Sequence, residues 1–458
     1  MPPIAADKSA QRAYRLVVEA VLILWIVVSA PSVGGCATPP GSAGVSDYVR
    51  ELIEAAHGAP PALCACAATA VQNTWGWTDA PASPLGRSFG THRRQKLSSE
   101  DVRFLLTSLD TPDPCVRELA VRLLANDDRA EIVTGLVQRL GAADSSLRLT
   151  ASLGLGLVGS ATAVEPLVRA TRDDAAGVRA NAIWALGRIE DPRGAGPATT
   201  ALGDRSAVVR EAAAEALGHL EVKTAAPGLT RALREDREAA VRRTAAWALT
   251  QIEAEEAVEP LTATMAKDPD ASVREMCTWA LGNLDRGRSA TGALLATARR
   301  DESASVREMA VWSIAQHGDE SMGKGLGEIM GSDPSGDVRK TTAWALGQMG
   351  IDTAPPALIQ ALGDRDPQIR LAAAWALGEI EDKAALPALR TALARETNHE
   401  AQRAELRALV HSGEPPERLS ELLESRDPEV RKTAIRGIAG RQGLDPWPWP
   451  EPRPRPFP

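Results

Sequence analysis

Hydrophobic positions along this chain recur with the period of an α-helix and are grouped into two-helix units. Residues 163–190 show one such unit, in which a short amphipathic segment is followed by a polar turn and a longer Ala-rich segment. In the longer segment Val178, Ala182 and Leu186 fall at i, i+4 and i+8, which is the apolar stripe of a helix. Gly187 and Pro192 predict the end of that helix, because glycine favours helix C-termini and proline is common just beyond them. The pattern therefore predicts a helix, a turn and a second helix.

The same unit recurs every 31 to 33 residues. In seven copies an Asp lies six residues before an Arg that follows an aliphatic residue and begins an Ala-rich run. The seven pairs are Asp173 and Arg179, Asp204 and Arg210, Asp236 and Arg242, Asp268 and Arg274, Asp301 and Arg307, Asp333 and Arg339, and Asp364 and Arg370. Weaker copies surround Arg117, Arg148 and Arg431, and a degenerate copy lies near Arg403. A repeat of this length predicts an all-α solenoid of about ten helix pairs over residues 97–440.

The repeated Asp and Arg residues have a structural explanation. An Asp in the turn is placed to cap the second helix by accepting backbone N–H groups, and also to pair with an Arg of the same or the next unit. Repetition of that pair predicts a ladder along the array. We expect each exposed rung to contribute ~1 kcal/mol or less and the series to fix the rotation between units.

The first 35 residues have the layout of a signal peptide. Lys8, Arg12 and Arg15 precede an uncharged stretch at residues 20–30, which is too short to span a bilayer comfortably. The motif Val-Gly-Gly-Cys that ends at Cys36 resembles the lipobox of bacterial lipoproteins, whose Cys is lipidated and becomes the first residue. This resemblance implies a lipoprotein tethered to a membrane of the bacterial cell envelope, on the periplasmic side. An uncleaved membrane anchor and an apolar helix without a targeting role are the alternatives.

Two further segments flank the array. Residues 36–96 read as a tether and an N-terminal segment, with a Gly-, Ser- and Pro-rich beginning and a loop that contains Trp75 and Trp77. Residues 441–458 alternate proline with other residues, which excludes a helix and predicts an extended polyproline tail.

Charge and cysteine usage narrow the classes of partner and cofactor. The chain carries 52 Lys and Arg against 60 Asp and Glu, a net charge of -8, and it has no evident basic stripe, so we expect no nucleic-acid partner. After Cys36 the remaining cysteines are Cys64, Cys66, Cys115 and Cys277. Small buried thiols are favoured over disulfides, and no His or Cys of metal-ligand spacing accompanies them.

Segments such as Asp-Pro-Ser-Gly-Asp-Val-Arg-Lys-Thr-Thr-Ala-Trp-Ala-Leu-Gly, which begins at Asp333, resemble HEAT repeats. The variety is the short one named after the phycobilin lyases. The resemblance implies a right-handed superhelix of antiparallel helix pairs, with the second helices on the concave side. It implies no single activity, because scaffolds, adaptors and a few enzymes share the fold. The N-terminus, the Trp loop and the tail bear a looser likeness to bacterial envelope HEAT proteins, some of which accompany membrane-embedded sensor peptidases.

A Trp recurs five residues after the repeat Arg in six units. These residues are Trp184, Trp247, Trp279, Trp312, Trp344 and Trp375, and Glu215 takes the place of the Trp in the unit at Arg210. On a helical wheel that starts at the aliphatic residue before the repeat Arg, these Trp residues lie at about 240° and the apolar stripe centres near 30°. On the concave side they would form an aromatic row beside mixed charges, the composition of a groove for a protein or a peptide. The alternative is that each Trp packs against the neighbouring unit. We expect Trp279, Trp312 and Trp344 to make the most contact with a partner.

No catalytic, metal or cofactor site emerges from the sequence. The resemblance to HEAT-like deoxyhypusine hydroxylase would require several His-Glu pairs for two irons, and this chain has one, His399-Glu400. That pair also lacks the second His of a zinc-peptidase helix. We therefore expect a membrane-tethered, non-catalytic scaffold that holds a protein or peptide partner. The alternatives are a lyase-like or chaperone-like accessory that holds a cofactor-bearing partner, and an output or sensor module for a membrane peptidase.

Overall fold

The computed structural model describes residues 44–58, 97–125, 127–425 and 428–439. The predicted signal peptide, the lipidation site Cys36, the loop with Trp75 and Trp77, and the tail at 441–458 lie outside these ranges. The described residues form 23 α-helices, and no strand occurs among them. The all-α solenoid predicted from the repeat is therefore confirmed.

The helices form eleven consecutive pairs after a single leading helix, α1 (Asp47–Ala56). The first helices of the pairs are α2 (Ser99–Ser108), α4 (Ala130–Arg139), α6 (Val164–Ala170), α8 (Ala195–Ala201), α10 (Ala226–Glu235), α12 (Val258–Met265), α14 (Thr291–Arg300), α16 (Gly323–Ser332), α18 (Pro356–Gln360), α20 (Leu386–Leu393) and α22 (Pro416–Ser420). The second helices are α3 (Pro114–Leu124), α5 (Ser145–Val158), α7 (Ala176–Ile189), α9 (Ala207–His219), α11 (Ala239–Gln251), α13 (Ala271–Asn283), α15 (Ala304–His317), α17 (Gly336–Gln348), α19 (Pro367–Ile380), α21 (His399–His411) and α23 (Pro428–Ile438).

The pairs stack into two layers. Each second helix packs against its own first helix and directly against the second helices of the neighbouring pairs, from α3 to α23. Neighbouring first helices touch much more sparsely. Closer packing within one layer is the geometry of the inner side of a curved array, so we call the second helices the inner layer and the first helices the outer layer.

The predicted apolar stripe forms the core of each unit. Val178, Ala182 and Leu186 of α7 are all 0% exposed, as the periodicity predicted. A single hydrophobic cluster runs from Val45 to Leu409, since each unit shares its buried side chains with the next. The array is thus stabilised by contacts between neighbours along its whole length.

The end of α7 falls between Gly187 and Pro192, as predicted, but Gly187 itself still lies within the helix. The helix continues to Ile189, and Glu190 adopts the left-handed conformation with φ 57°. Gly187 allows close approach instead, because a Cβ there would lie 2.7 Å from Cα of Ala216 in the next second helix. The glycine therefore serves the contact between units and not the helix terminus.

The described part of the chain contains no helix that is both long and apolar enough to cross a membrane. Of the cysteines within it, Cys277 is a buried free thiol, as predicted, and burial raises its pKa. Cys115 is disulfide-bonded, so the prediction of a free buried thiol was wrong for this residue.

Candidate protein-binding face

The repeated Arg and Asp residues form a ladder that ties each unit to the next. In one rung, Nε and Nη2 of Arg179 donate to the two carboxylate oxygens of Asp204, both at 2.8 Å. Nη1 of the same Arg donates to the backbone carbonyl of Asp173 in its own unit. The corresponding rungs are Arg148–Asp173, Arg210–Asp236, Arg242–Asp268, Arg274–Asp301, Arg307–Asp333, Arg339–Asp364 and Arg370–Glu396. Each Arg thus pairs with the acid of the following unit, which fixes the rotation between them.

The ladder Asp orders the turn but does not cap the second helix as predicted. Asp173 accepts from the backbone N–H of Ala175, which is itself the N-cap residue of α7. Both carboxylate oxygens of Asp173 also receive the guanidinium of Arg148 from the preceding unit. Asp173 lies two residues before the N-cap residue Ala175. Its carboxylate therefore serves the ion pair with Arg148 and the turn, and not the N-terminus of α7.

Most rungs are more deeply buried than the sequence suggested. The side chains of Arg242 and Asp268 are 10% and 5% exposed, whereas those of Arg339 and Asp364 are 23% and 19% exposed and meet at 3.3 Å. The hydrogen bonds from Arg148 lower the pKa of Asp173 below its usual value, against the opposing effect of burial. Removing one partner of a buried rung leaves an uncompensated charge, at a cost of about 3–5 kcal/mol.

The six Trp residues of the predicted row do not share one environment. Trp184, Trp247, Trp344 and Trp375 are 1%, 6%, 4% and 7% exposed. Trp279 and Trp312 are partly exposed and pack against the core with only part of the ring surface. Direct contact with a partner is therefore open to Trp279 and Trp312, while the other four lie in the seam between neighbouring second helices.

Glycines in the preceding second helix leave room for three of the four buried rings, those of Trp184, Trp247 and Trp375. A Cβ on Gly218 would lie 2.6 Å from Cζ3 of Trp247, and a Cβ on Gly347 would lie 2.7 Å from Cζ3 of Trp375. Gly156 faces Trp184 in the same way. Without a Cβ, the preceding helix lets the indole approach its backbone and exclude water.

The two exposed rings lack this room. Thr250 stands at the register position opposite Trp279, where other units have glycine. At Gly282, the position opposite Trp312, the space is filled by Ser313, whose Oγ would lie 2.7 Å from an added Cβ. A glycine at this position does not by itself predict burial, because Gly282 stands opposite the partly exposed Trp312 and Ala315 stands opposite the buried Trp344.

Acidic side chains accompany the two exposed rings. Glu275 and Glu308 lie one helical turn before Trp279 and Trp312, and both are partly exposed. We call these four residues the Trp279/Trp312 patch. Oγ of Ser305 donates to Glu275 at 2.9 Å, and Oγ1 of Thr341 donates to Glu308 at 2.9 Å. Hydroxyls from the following second helices thus hold both carboxylates in place.

The patch has a negative local environment. Burial raises the pKa of Glu308, and the charges of Asp337 and Glu275 raise it further, while the hydrogen bond from Thr341 and the charge of Lys340 act in the opposite direction. Lys340 is itself held by Asp337 at 3.0 Å. Two partly exposed indoles beside two carboxylates suit a cationic or aromatic side chain of a partner.

One unusual residue of the inner layer gave no sequence signal that we recognised. Glu405 in α21 is 0% exposed, and neither carboxylate oxygen has a hydrogen-bond partner within the described part of the chain. Burial, together with the charge of Glu396, raises its pKa to about 8, although the charge of Arg370 opposes this. Small residues such as Ala373 stand at the same position in other units, so alignment of the repeats would have revealed it.

Within the described ranges, no group of three or more His, Cys, Asp or Glu side chains is placed to hold a metal ion. The Trp279/Trp312 patch thus combines two partly exposed aromatic rings with two carboxylates held by hydroxyl groups.

The sequence family described as HEAT repeats matches residues 102–187, 176–250, 195–282, 258–339 and 323–410. These ranges together span more than half of the chain, so the chain belongs to the HEAT-repeat family. No curated protein matches it.

Solved structures show the same architecture. A crystal structure of importin beta is 14% identical, with a TM-score of 0.56 over 86% of this chain and 64% of that chain. Kap95p, from a complex with RanGDP, is 15% identical, with a TM-score of 0.52 over 75% of this chain and 56% of that chain. The CpcE–CpcF complex of phycocyanin lyase from Nostoc sp. PCC7120 is 22% identical, with a TM-score of 0.33 over 49% of this chain and 91% of that chain. At these identities the two importin-like structures show the solenoid fold alone.

Proposed function

We propose that this chain is a non-catalytic scaffold that binds a protein partner on its inner layer, with the contact centred on the Trp279/Trp312 patch. The observation that carries the proposal is the partial exposure of two neighbouring indoles in a row whose other members are buried. Partly exposed Trp residues near the centre of a surface, framed by polar groups, are the usual anchors of protein interfaces.

The position of the patch supports this function. It lies on α13 and α15, near the middle of the array, where a partner has inner-layer surface on both sides. Its carboxylates are already ordered by Ser305 and Thr341, so binding requires little further ordering. The neighbour Kap95p binds the protein RanGDP, which is a partner class that this fold accommodates.

The test compares partner capture by the full chain with capture by Trp279→Ala/Trp312→Ala. A matched control is Arg299→Ala/Glu328→Ala, which removes an exposed ion pair between α14 and α16 on the outer layer. We expect a defined protein to be retained by the full chain and the control, and lost from the Trp variant, with circular dichroism unchanged. Equal capture by the Trp variant would refute the assigned surface.

We also propose that the scaffold is tethered to a bacterial envelope membrane through Cys36. The support is the signal-peptide layout and the lipobox-like motif of the sequence. Cys36→Ala should move the protein from the membrane fraction to the soluble fraction. Retention in the membrane would indicate an uncleaved anchor instead.

A further inference from the structure

The charge along the inner layer changes in a definite order from its C-terminal end towards the Trp279/Trp312 patch. The last two second helices present basic residues one and two turns from their starts: Arg403, Arg407, Lys432 and Arg436. Next come Leu371 and Trp375 on α19, followed by Lys340 on α17. The acidic residues Glu308 on α15 and Glu275 on α13 complete the sequence.

The tail beyond Ala439 carries the complementary charges in the matching order. Asp445 comes first, then the aromatic residues Trp447 and Trp449, then Glu451, and finally Arg453 and Arg455. In that order an acid would meet the basic end, indoles would meet the apolar step, a second acid would follow Lys340, and two cations would reach the acidic patch. The tail would run along the inner layer back towards the N-terminus.

The tail is long enough to reach the patch. Packed helices lie about 8–10 Å apart, so α15 lies about 32–40 Å and α13 about 40–50 Å from α23 along the inner layer. Arg453 and Arg455 lie 14 and 16 residues beyond Ala439. At ~3.1 Å per residue, a polyproline segment extends about 43 Å and about 50 Å over these lengths.

The chemistry of the patch also suits this occupant. Each guanidinium would meet a fixed carboxylate and an indole face, which combines a charge-assisted hydrogen bond with a cation–π contact. Alternating prolines favour an extended chain before binding, so docking would cost little chain entropy. We propose that the tail, residues 441–458, docks on the inner layer with Arg453 and Arg455 at Glu308 and Glu275, and so competes with the partner. This inference rests on the proposed function of the patch.

The experiment measures binding of a fluorescent peptide of residues 443–458 to three full-length proteins: the wild type, Arg453→Glu/Arg455→Glu, and the control Arg441→Glu. A tethered tail has an effective concentration of roughly 1 mM, so it should block the wild-type site. We expect the double variant to bind the peptide about tenfold more tightly than the wild type, and Arg441→Glu to behave as the wild type. Added salt should weaken the binding.

A charge exchange tests the register. A peptide that carries Arg455→Glu should bind Glu275→Arg, and it should bind Glu275→Arg combined with Arg455→Glu about tenfold more weakly, because the swapped pair closes the site again. Equal binding by the wild type and the double variant, or binding by neither, would overturn the inference. A wild-type mass that rises with concentration, and does not in the double variant, would overturn it in favour of docking between copies. None of these results depends on partner capture, so the Trp279→Ala/Trp312→Ala experiment judges the proposed function separately.

Discussion

Trp184 and Trp312 occupy the same position of their repeat units and have different surroundings. Trp184 is 1% exposed and sits over Gly156 of the preceding second helix. Trp312 is partly exposed, and Ser313 fills the space beside Gly282. The comparison shows that the burial of a repeated residue depends on the contact between its unit and the unit before it.

The largest effect should come from removing a buried ring. Trp184→Ala leaves a cavity in the seam between α5 and α7 and should cost about 3–5 kcal/mol of unfolding free energy. Trp312→Ala removes a ring that is already partly in water and should cost less than half as much. Urea unfolding followed by circular dichroism measures both. Similar losses for the two variants would remove the distinction between seam and surface.

The ladder offers the same comparison between ion pairs. Asp268→Ala strands Arg242 in a buried rung and should cost about 3–5 kcal/mol. Asp364→Ala opens a more exposed and longer rung and should cost about 1 kcal/mol. The difference should appear in urea unfolding, and amide exchange should localise the first loss to the units on either side. If Asp364→Ala proves the more damaging, burial does not set the strength of the rungs.

Two carboxylates of the inner layer differ in burial in the same way, since Glu405 is fully buried and Glu308 is half-buried. Glu405 has its pKa raised from 4.5 to about 8, so the folded state binds its proton more tightly than the unfolded state. The contribution of Glu405 to the free energy of unfolding is fully present below about pH 4.5 and is lost as the pH rises towards 8. Glu405→Gln should therefore be more stable than the wild type at pH 8 by on the order of a few kcal/mol, and similar at pH 4.5.

Thermal unfolding of the wild type and Glu405→Gln from pH 5 to 9 measures this difference. Glu308→Gln is the control, because a hydrogen bond from Thr341 and partial exposure limit its own pKa rise. The ladder acids act in the opposite direction. Hydrogen bonds from Arg370 lower the pKa of Glu396, so the stability it contributes is lost as the pH falls. Parallel pH profiles for the wild type and Glu405→Gln would contradict the assignment.

A smaller change should convert a buried ring into an exposed one. Gly218→Thr places a Cβ 2.6 Å from Cζ3 of Trp247, which is closer than two carbon atoms can pack, so the ring must move outward. We expect a loss of about 1–3 kcal/mol and greater quenching of Trp fluorescence. Gly196→Thr is the control, because an added Cβ there meets nothing within 4 Å. Unchanged quenching in Gly218→Thr would show that the space beside Gly218 does not hold the ring.

The fold could be predicted from the sequence because the same pattern of Asp, Arg and apolar residues recurs in many units. The Asp and Arg spacing marked the turn and the second helix of each unit, and the stripe of Val178, Ala182 and Leu186 oriented the helix correctly. The sequence left open whether each Arg pairs within its unit or with the next one. Only the stacking distance between units decides that, and the structure places the acid of the following unit beside it.

The site was less predictable, since a helical wheel describes one unit and not its neighbours. The wheel correctly separated the Trp from the apolar stripe, but that face meets the adjacent second helix in four units. The contact role of Gly187 was missed for the same reason, because its contact with Ala216 lies in another unit. The exposed patch depends on Thr250 and Ser313, which have no marked pattern of their own.

The two layers also have mechanical consequences. The inner layer is closely packed and its units are joined by the Arg–Asp ion pairs of the ladder, whereas neighbouring first helices of the outer layer touch only sparsely. When such an array bends, the inner layer keeps its length and the distances between neighbouring outer helices change. We therefore expect the curvature of the array to change by movement of the outer layer. The spacing of the Trp residues along the inner layer should stay constant.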